Sequence, residues 1–137
     1  RLFYGEKIKM FRIFNHFLFC FELFSHMKGE LMPNDSKLES KFQAELIKEL
    51  KTIFPGCIIQ KQDSGRIQGI PDLLILYGDR WAMLECKRSE KASHRPNQDY
   101  YVAKCDDMSF CRYIYPENKV EVLDALQQSL QSERKAC

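Results

Sequence analysis

Two short apolar runs, joined by a tight turn and bearing charges at the same end, constrain this chain more than any other feature. Asp72 opens Leu73-Leu74-Ile75-Leu76-Tyr77, Gly78-Asp79 follows, and Trp81-Ala82-Met83-Leu84 leads into Glu85-Cys86-Lys87. Runs of this length and composition around a Gly-Asp pair predict a β-hairpin, with strands over residues 72–77 and 81–87. A hairpin brings the start of one strand beside the end of the other, so Asp72 is expected near Glu85. Side chains alternate along a strand, so Glu85 and Lys87 project to one face. Charges at the ends of buried strands are costly unless they pair or hold a metal. Asp and Glu are hard oxygen ligands suited to Mg²⁺, and a neighbouring Lys can orient or activate a water. The chemistry these residue types suggest is metal-dependent phosphodiester hydrolysis.

The hairpin needs covering layers, and the flanking sequence supplies them. Asp35 or Ser36 is a good helix N-cap, with Glu39 spaced for a capping-box contact. Leu38, Phe42, Leu46, Ile47, Leu50, Ile53 and Phe54 form a helical stripe, and Pro55-Gly56 ends it. Residues 57–62 read as a first strand and residues 63–69 as a loop. Residues 89–96 are a polar connection. A second helix is expected over residues 97–105 and a fourth, aromatic-rich strand over 109–115, broken by Pro116. Val120, Val122, Leu123, Leu126 and Leu130 predict a closing helix, with a frayed tail after Ser132. The expected order is α-β-β-β-α-β-α, an α/β fold with a central mixed four-stranded sheet and helices on both faces.

Bulk composition narrows the partners. At 137 residues with 45% apolar content, the chain is expected to build one domain with a real core. Residues 1–31 carry five Lys/Arg against three Asp/Glu, leaving residues 32–137 with 16 of each. Contact with a nucleic acid must therefore use a local basic surface rather than a global field. Lys87, Arg88, Lys91 and Arg95 supply one just after the Glu-Cys-Lys run. Arg66 lies in the loop before Asp72, and Lys61 lies on the first strand facing this region. The six Cys form no C-x-x-C pair and only three His are present, so a zinc site is not expected. The thiols are read as reduced, in a cytoplasmic setting, with Cys57 and Cys86 as small core residues.

The set P-D-x(n)-E-x-K resembles the PD-(D/E)XK nuclease superfamily. More narrowly, Gly69-Ile70-Pro71-Asp72-Leu73-Leu74 with Leu84-Glu85-Cys86-Lys87 resembles the small stand-alone VRR-NUC type of phage and prophage proteins. The acidic helix with Lys37-Leu38-Glu39-Ser40-Lys41-Phe42-Gln43, the Lys61-Gln62-Asp63-Ser64-Gly65 stretch, and Arg95-Pro96-Asn97-Gln98 opening a helix fit the same family. The resemblance covers residues 36–131 and implies a restriction-endonuclease-like fold and a DNA endonuclease dependent on Mg²⁺ or Mn²⁺. It implies Asp72 and Glu85 as metal ligands, with the Cys86 backbone carbonyl as a third. Glu39 is expected to complete the shell from the first helix, with Glu45 and Glu49 as rivals there. Gln98 matches the family's polar residue after the E-x-K strand and would bind the phosphate or a metal-bound water. Lys87 would orient the nucleophilic water or stabilise developing charge. His94 reads as an exposed loop residue. Tyr100 and Tyr101 are read as stacking or packing groups.

A domain this small, without a separate sequence-reading module, is expected to recognise branched, nicked or flap DNA by shape, through phosphate contacts. Cutting both strands of a junction would call for a homodimer. The neutral balance leaves room for a replication, recombination or packaging protein that delivers the substrate. The competing class is a non-catalytic DNA-binding or assembly protein on a nuclease fold. The first 31 residues stand apart, holding seven of the ten Phe. Phe11, Phe14, Phe17, Phe21 and Phe24 recur at near-helical spacing, but Arg12, Asn15, His16 and Glu22 interrupt the run, so a membrane span is not expected. Membrane association through this segment is the third class. Lys28-Gly29-Glu30 can be encoded by a purine-rich stretch like a bacterial ribosome-binding sequence, just ahead of Met32. Residues 1–31 are accordingly read either as translated leader or as an added packing helix, and residues 32–137 as the single domain.

Overall fold

Continuous burial along β3, from Ala82 to Cys86, requires that the sheet be covered on both faces there. The structure is a computed structural model, and it describes residues 34–132. The Phe-rich segment, with both readings of it, and the tail after Ser132 lie outside the described residues. The order of elements is helix α1 (Asp35–Ile53), strands β1 (Ile58–Lys61), β2 (Leu73–Tyr77) and β3 (Arg80–Cys86), helix α2 (Gln98–Met108), strand β4 (Phe110–Ile114) and helix α3 (Lys119–Gln131). This is the expected α-β-β-β-α-β-α order.

The four strands form one open sheet in the order β1-β2-β3-β4. β1–β2 and β2–β3 are antiparallel, and β3–β4 is parallel. The parallel pair requires a crossover, which α2 provides. The Gly78-Asp79 turn sets the hairpin register, with Tyr77 opposite Arg80 and Leu73 opposite Leu84. That register, extended one step, places Asp72 opposite Glu85.

One face of the sheet carries the main core. Leu46, Leu50 and Phe54 of the first helical stripe pack with Leu73, Ile75, Ala82, Leu84, Cys86 and Ile114. Val122, Leu123, Leu126 and Leu130 from α3 complete it. The other face has a smaller cluster of Met83, Val102, Cys105 and Cys111, with Ile70, Leu74, Trp81 and Tyr113 packed against it. Three expected core positions differ. Val120 is 72% exposed because it lies on the outward side of α3, and Leu38 is exposed in the first turns of α1. Cys57 is half-buried and precedes β1, whereas Cys86 is fully buried. Among the described residues, no helix is long and apolar enough to cross a membrane.

Candidate functional site

The hairpin ends and the start of α2 converge on the face of the sheet with the smaller core. Among the described residues, the buried polar side chains are Glu85, Lys87 and Gln98, and all three meet here. Asp72 and Glu85, opposed across β2 and β3, are held by each other's strand. The Asp72 backbone N–H donates to Glu85 Oε2 (3.2 Å), and the Cys86 N–H donates to Asp72 Oδ2 (2.9 Å). Like charges facing one another across a strand pair are unfavourable, so these backbone donors hold together two groups that otherwise repel.

Gln98 joins the rest. Its amide Nε2 donates to Glu85 Oε1. Its Oε1 accepts from Lys87 Nζ (2.7 Å) and from the Arg95 backbone N–H (2.7 Å). Gln98 is the first residue of α2, so the Arg95 contact ties the loop ahead of the N-cap Asn97 to the start of the helix. Lys87 Nζ also donates to the Ser93 carbonyl (3.3 Å) and lies 3.6 Å from Glu85 Oε1. No buried side-chain N or O atom among the described residues lacks a partner.

Gly69 brings α2 this close. Its φ of +89° favours glycine, and a Cβ there would sit 2.6 Å from the Asn97 carbonyl carbon and 2.8 Å from the Gln98 nitrogen. The Gly-Ile-Pro-Asp run therefore rests directly on the first residues of α2. Asn97 itself adopts a left-handed φ of 66°. Asp72, Gln98, Gly69, Ile70, Arg95 and Pro96 line a cleft of about 220 Å³ at this junction.

Burial governs the electrostatics. Desolvation first, then the charge of Asp72, push the Glu85 carboxyl up to about 8 against the favourable pull of Lys87. Desolvation also raises Asp72, countered by the Cys86 N–H and by the charges of Lys87, Arg95 and Lys61. Glu39 is raised by burial as well, and feels Lys87, Asp72, Arg95 and Arg88. Gln43, one turn after Glu39, hydrogen-bonds the Cys86 thiol and so seats this face of α1 over the end of β3.

The expected site residues thus fall into three groups. Asp72, Glu85, Lys87 and Gln98 are joined by direct contacts. Glu39, Arg95 and Lys61 lie within electrostatic reach of them. Arg66 and Lys91 are exposed, and the exposed Arg88 is ion-paired with Asp35 in the first turn of α1. Glu49, a rival to Glu39, instead pairs with Lys119 of α3 (2.8 Å). Tyr100 and Tyr101 contact each other edge to face on α2, with Tyr100 exposed. No group of three or more His, Cys, Asp or Glu among the described residues is placed to share one metal ion, so Glu39 is not gathered to the same point as Asp72 and Glu85.

The donor set itself is a pair of desolvated carboxylates. Mg²⁺ characteristically takes one or two carboxylates and keeps several of its waters. The pair fits such an ion, whose charge would offset both the burial and the mutual repulsion that raise Glu85. Compared with family models, with curated proteins and with solved structures, the chain matches none.

Proposed function

We propose that this chain is a PD-(D/E)XK-type, VRR-NUC-like deoxyribonuclease on a restriction-endonuclease-like fold, hydrolysing phosphodiester bonds with Mg²⁺ or Mn²⁺. The observation that carries the reading is the reciprocal bonding of Asp72 and Glu85 across the hairpin, with Lys87 and Gln98 on the same face. A structural ion pair has no need of a second carboxylate, which raises the electrostatic cost of the site. A cation-binding site does. When bound, the ion supplies Lewis acidity and a water of lowered pKa. Asp72, Glu85 and the Cys86 carbonyl would hold it, with Glu39 of α1 as the further acid that would complete the shell.

The remaining work belongs to the chain. Lys87, held by Gln98 and the Ser93 carbonyl, presents its ammonium beside Glu85, where it orients the attacking water and offsets charge on the phosphorane-like transition state. Gln98 fixes Lys87 and Glu85 relative to each other. Arg95, on the rim of the cleft, and Lys61, on the neighbouring strand, are placed to meet backbone phosphates, with Arg66, Arg88 and Lys91 as outlying contacts. Such contacts read DNA shape rather than sequence, favouring branched, nicked or flap substrates.

One observation favours a second reading, a non-catalytic DNA-binding or assembly protein on the same fold. The third carboxylate is not gathered with the other two. Cleavage of labelled duplex, nicked, flap and four-way DNA with Mg²⁺ or Mn²⁺ separates the two, with EDTA and Lys87→Ala as controls. Metal-dependent cutting that falls by ~10²–10³-fold in Lys87→Ala is expected, the size of effect seen when one transition-state donor is removed. No cutting of any substrate by folded protein with either metal would overturn the nuclease reading in favour of the second.

A further inference from the structure

The segment between β3 and α2 makes two main-chain contacts with the candidate site. The Ser93 carbonyl accepts from Lys87 Nζ, and the Arg95 N–H donates to Gln98 Oε1. His94 stands between these two residues, and its side chain turns elsewhere. His94 Nδ1 lies 2.6 Å from Asp99 Oδ1, and the ring stacks on Tyr113 at 4.2 Å between centroids, with planes 17° apart. The Tyr113 hydroxyl donates to the same Asp99 oxygen at 2.6 Å. Tyr113 is the register partner of Glu85 across β3 and β4. Three exposed or half-buried side chains from a loop, a helix and a strand are thus closed into one cluster. Its strand member sits beside the site carboxylate, and its loop member lies between the site's two backbone contacts.

We propose that His94, Asp99 and Tyr113 form an anchor that fixes the 93–95 backbone, making His94 and Asp99 positioning residues for Lys87 and Gln98. The role rests on the phosphodiesterase reading of that site. His94 and Tyr113 line a separate cavity of about 460 Å³, while Asp72, Arg95 and Gln98 line the smaller cleft. The anchor therefore acts through the backbone and does not touch the reacting groups. Lys87 and Gln98 are long side chains with several rotatable bonds. Fixing both through one short segment reduces the freedom they would otherwise retain, and misplacement of a catalytic group by about 1 Å can cost ~10²-fold in rate. Two donors sharing Asp99 Oδ1 also explain why an exposed carboxylate is held below the usual carboxylate range, by Tyr113 first and His94 second.

The test compares Asp99→Ala with Asp99→Asn in the full chain. Asn keeps the accepting oxygen, whereas both substitutions remove the charge from the first turn of α2. Two readouts are taken: residue-resolved amide exchange at Arg95, and steady-state cleavage in Mg²⁺. The expected result is faster Arg95 exchange in Asp99→Ala and a fall in kcat of ~10–100-fold with KM little changed. Asp99→Asn should retain most of the protection and most of the rate. Wild-type Arg95 exchange in Asp99→Ala would overturn the anchor, as would equal impairment of the two variants, which would trace the effect to the helix-terminal charge. If the wild-type protein cuts no DNA, the nuclease reading fails, and Arg95 exchange still decides whether the anchor exists.

Discussion

The two faces of the sheet use the same four consecutive residues in opposite ways. Leu84 and Cys86 enter a core closed by α1 and α3 in which the buried members are aliphatic, aromatic or thiol. Glu85 and Lys87, one step out of phase, enter the face covered by α2, where the apolar cluster is small and gives way to a buried, fully bonded polar set. Strand alternation alone produces this division. The thick face provides most of the hydrophobic stabilisation, and the thin face carries the desolvated charges. If the division is real, substitutions on the thick face should lower stability without altering the chemistry per folded molecule. Those on the thin face should lower cleavage by more than any loss of folded protein explains.

The largest stability effect is expected for Leu84→Ala. Leu84 is fully buried in the main core, and removing such a side chain costs ~2–5 kcal/mol. Urea unfolding should show this loss, while cleavage normalised to folded protein stays near wild type. A fall in normalised cleavage comparable to that of Lys87→Ala would break the comparison. Gly69→Ala comes next. The positive φ and the 2.6 Å approach to the Asn97 backbone both oppose a Cβ, for a strain cost of ~1–3 kcal/mol. Because the clash pushes directly on the Gln98 nitrogen, cleavage should fall further than the loss of folded protein explains. Unchanged activity in a destabilised Gly69→Ala would show that the contact serves packing only.

A pH dependence follows from the thin face. The folded-state pKa of Glu85 is raised from 4.5 to about 8. Between those values the native state binds more protons than the unfolded chain, so stability falls as pH rises. Metal-free protein should therefore lose stability between about pH 5 and about pH 8, and saturating Mg²⁺ should flatten the slope by stabilising the ionised form. Thermal melts with EDTA and with Mg²⁺ across this range check it. A metal-free stability that rises through the window would contradict the burial argument for Glu85.

Much of this division is legible in the sequence because it depends on local signals. The Gly78-Asp79 turn fixes the register, the register opposes Asp72 and Glu85, and the period-2 pattern assigns Leu84 and Lys87 to different faces. Contacts made across loops are less legible. Gln98 stands out through its position after Arg95-Pro96-Asn97. Its simultaneous contacts with Glu85, Lys87 and the Arg95 backbone depend on the approach of Gly69 to Asn97, which no periodicity encodes. The His94–Asp99–Tyr113 cluster is further from view, since a loop His, a first-turn Asp and a strand Tyr each have an ordinary local role. Gln43 carried no chemical signal beyond its spacing from Glu39. Val120 matches the apolar stripe of α3 yet is exposed, because burial depends on which part of the helix the sheet reaches.

The smallest expected effect distinguishes two carboxylates on α1. Glu49 pairs with Lys119 at 2.8 Å, linking α1 to α3, and both side chains are about one-third or more exposed. Solvent-accessible pairs of this kind contribute ~0–1 kcal/mol, so Lys119→Ala and Glu49→Ala should each shift urea midpoints only slightly. Glu39 lies two to three turns earlier and feels Asp72 and Lys87. Glu39→Ala should therefore weaken metal-dependent cleavage and raise the Mg²⁺ concentration needed for half-maximal rate, whereas Glu49→Ala should leave both unchanged. Reversed outcomes would move the helix-borne acid to the other end of α1. Equal and negligible outcomes would leave Asp72 and Glu85 as the whole carboxylate contribution, in keeping with an ion that retains most of its waters.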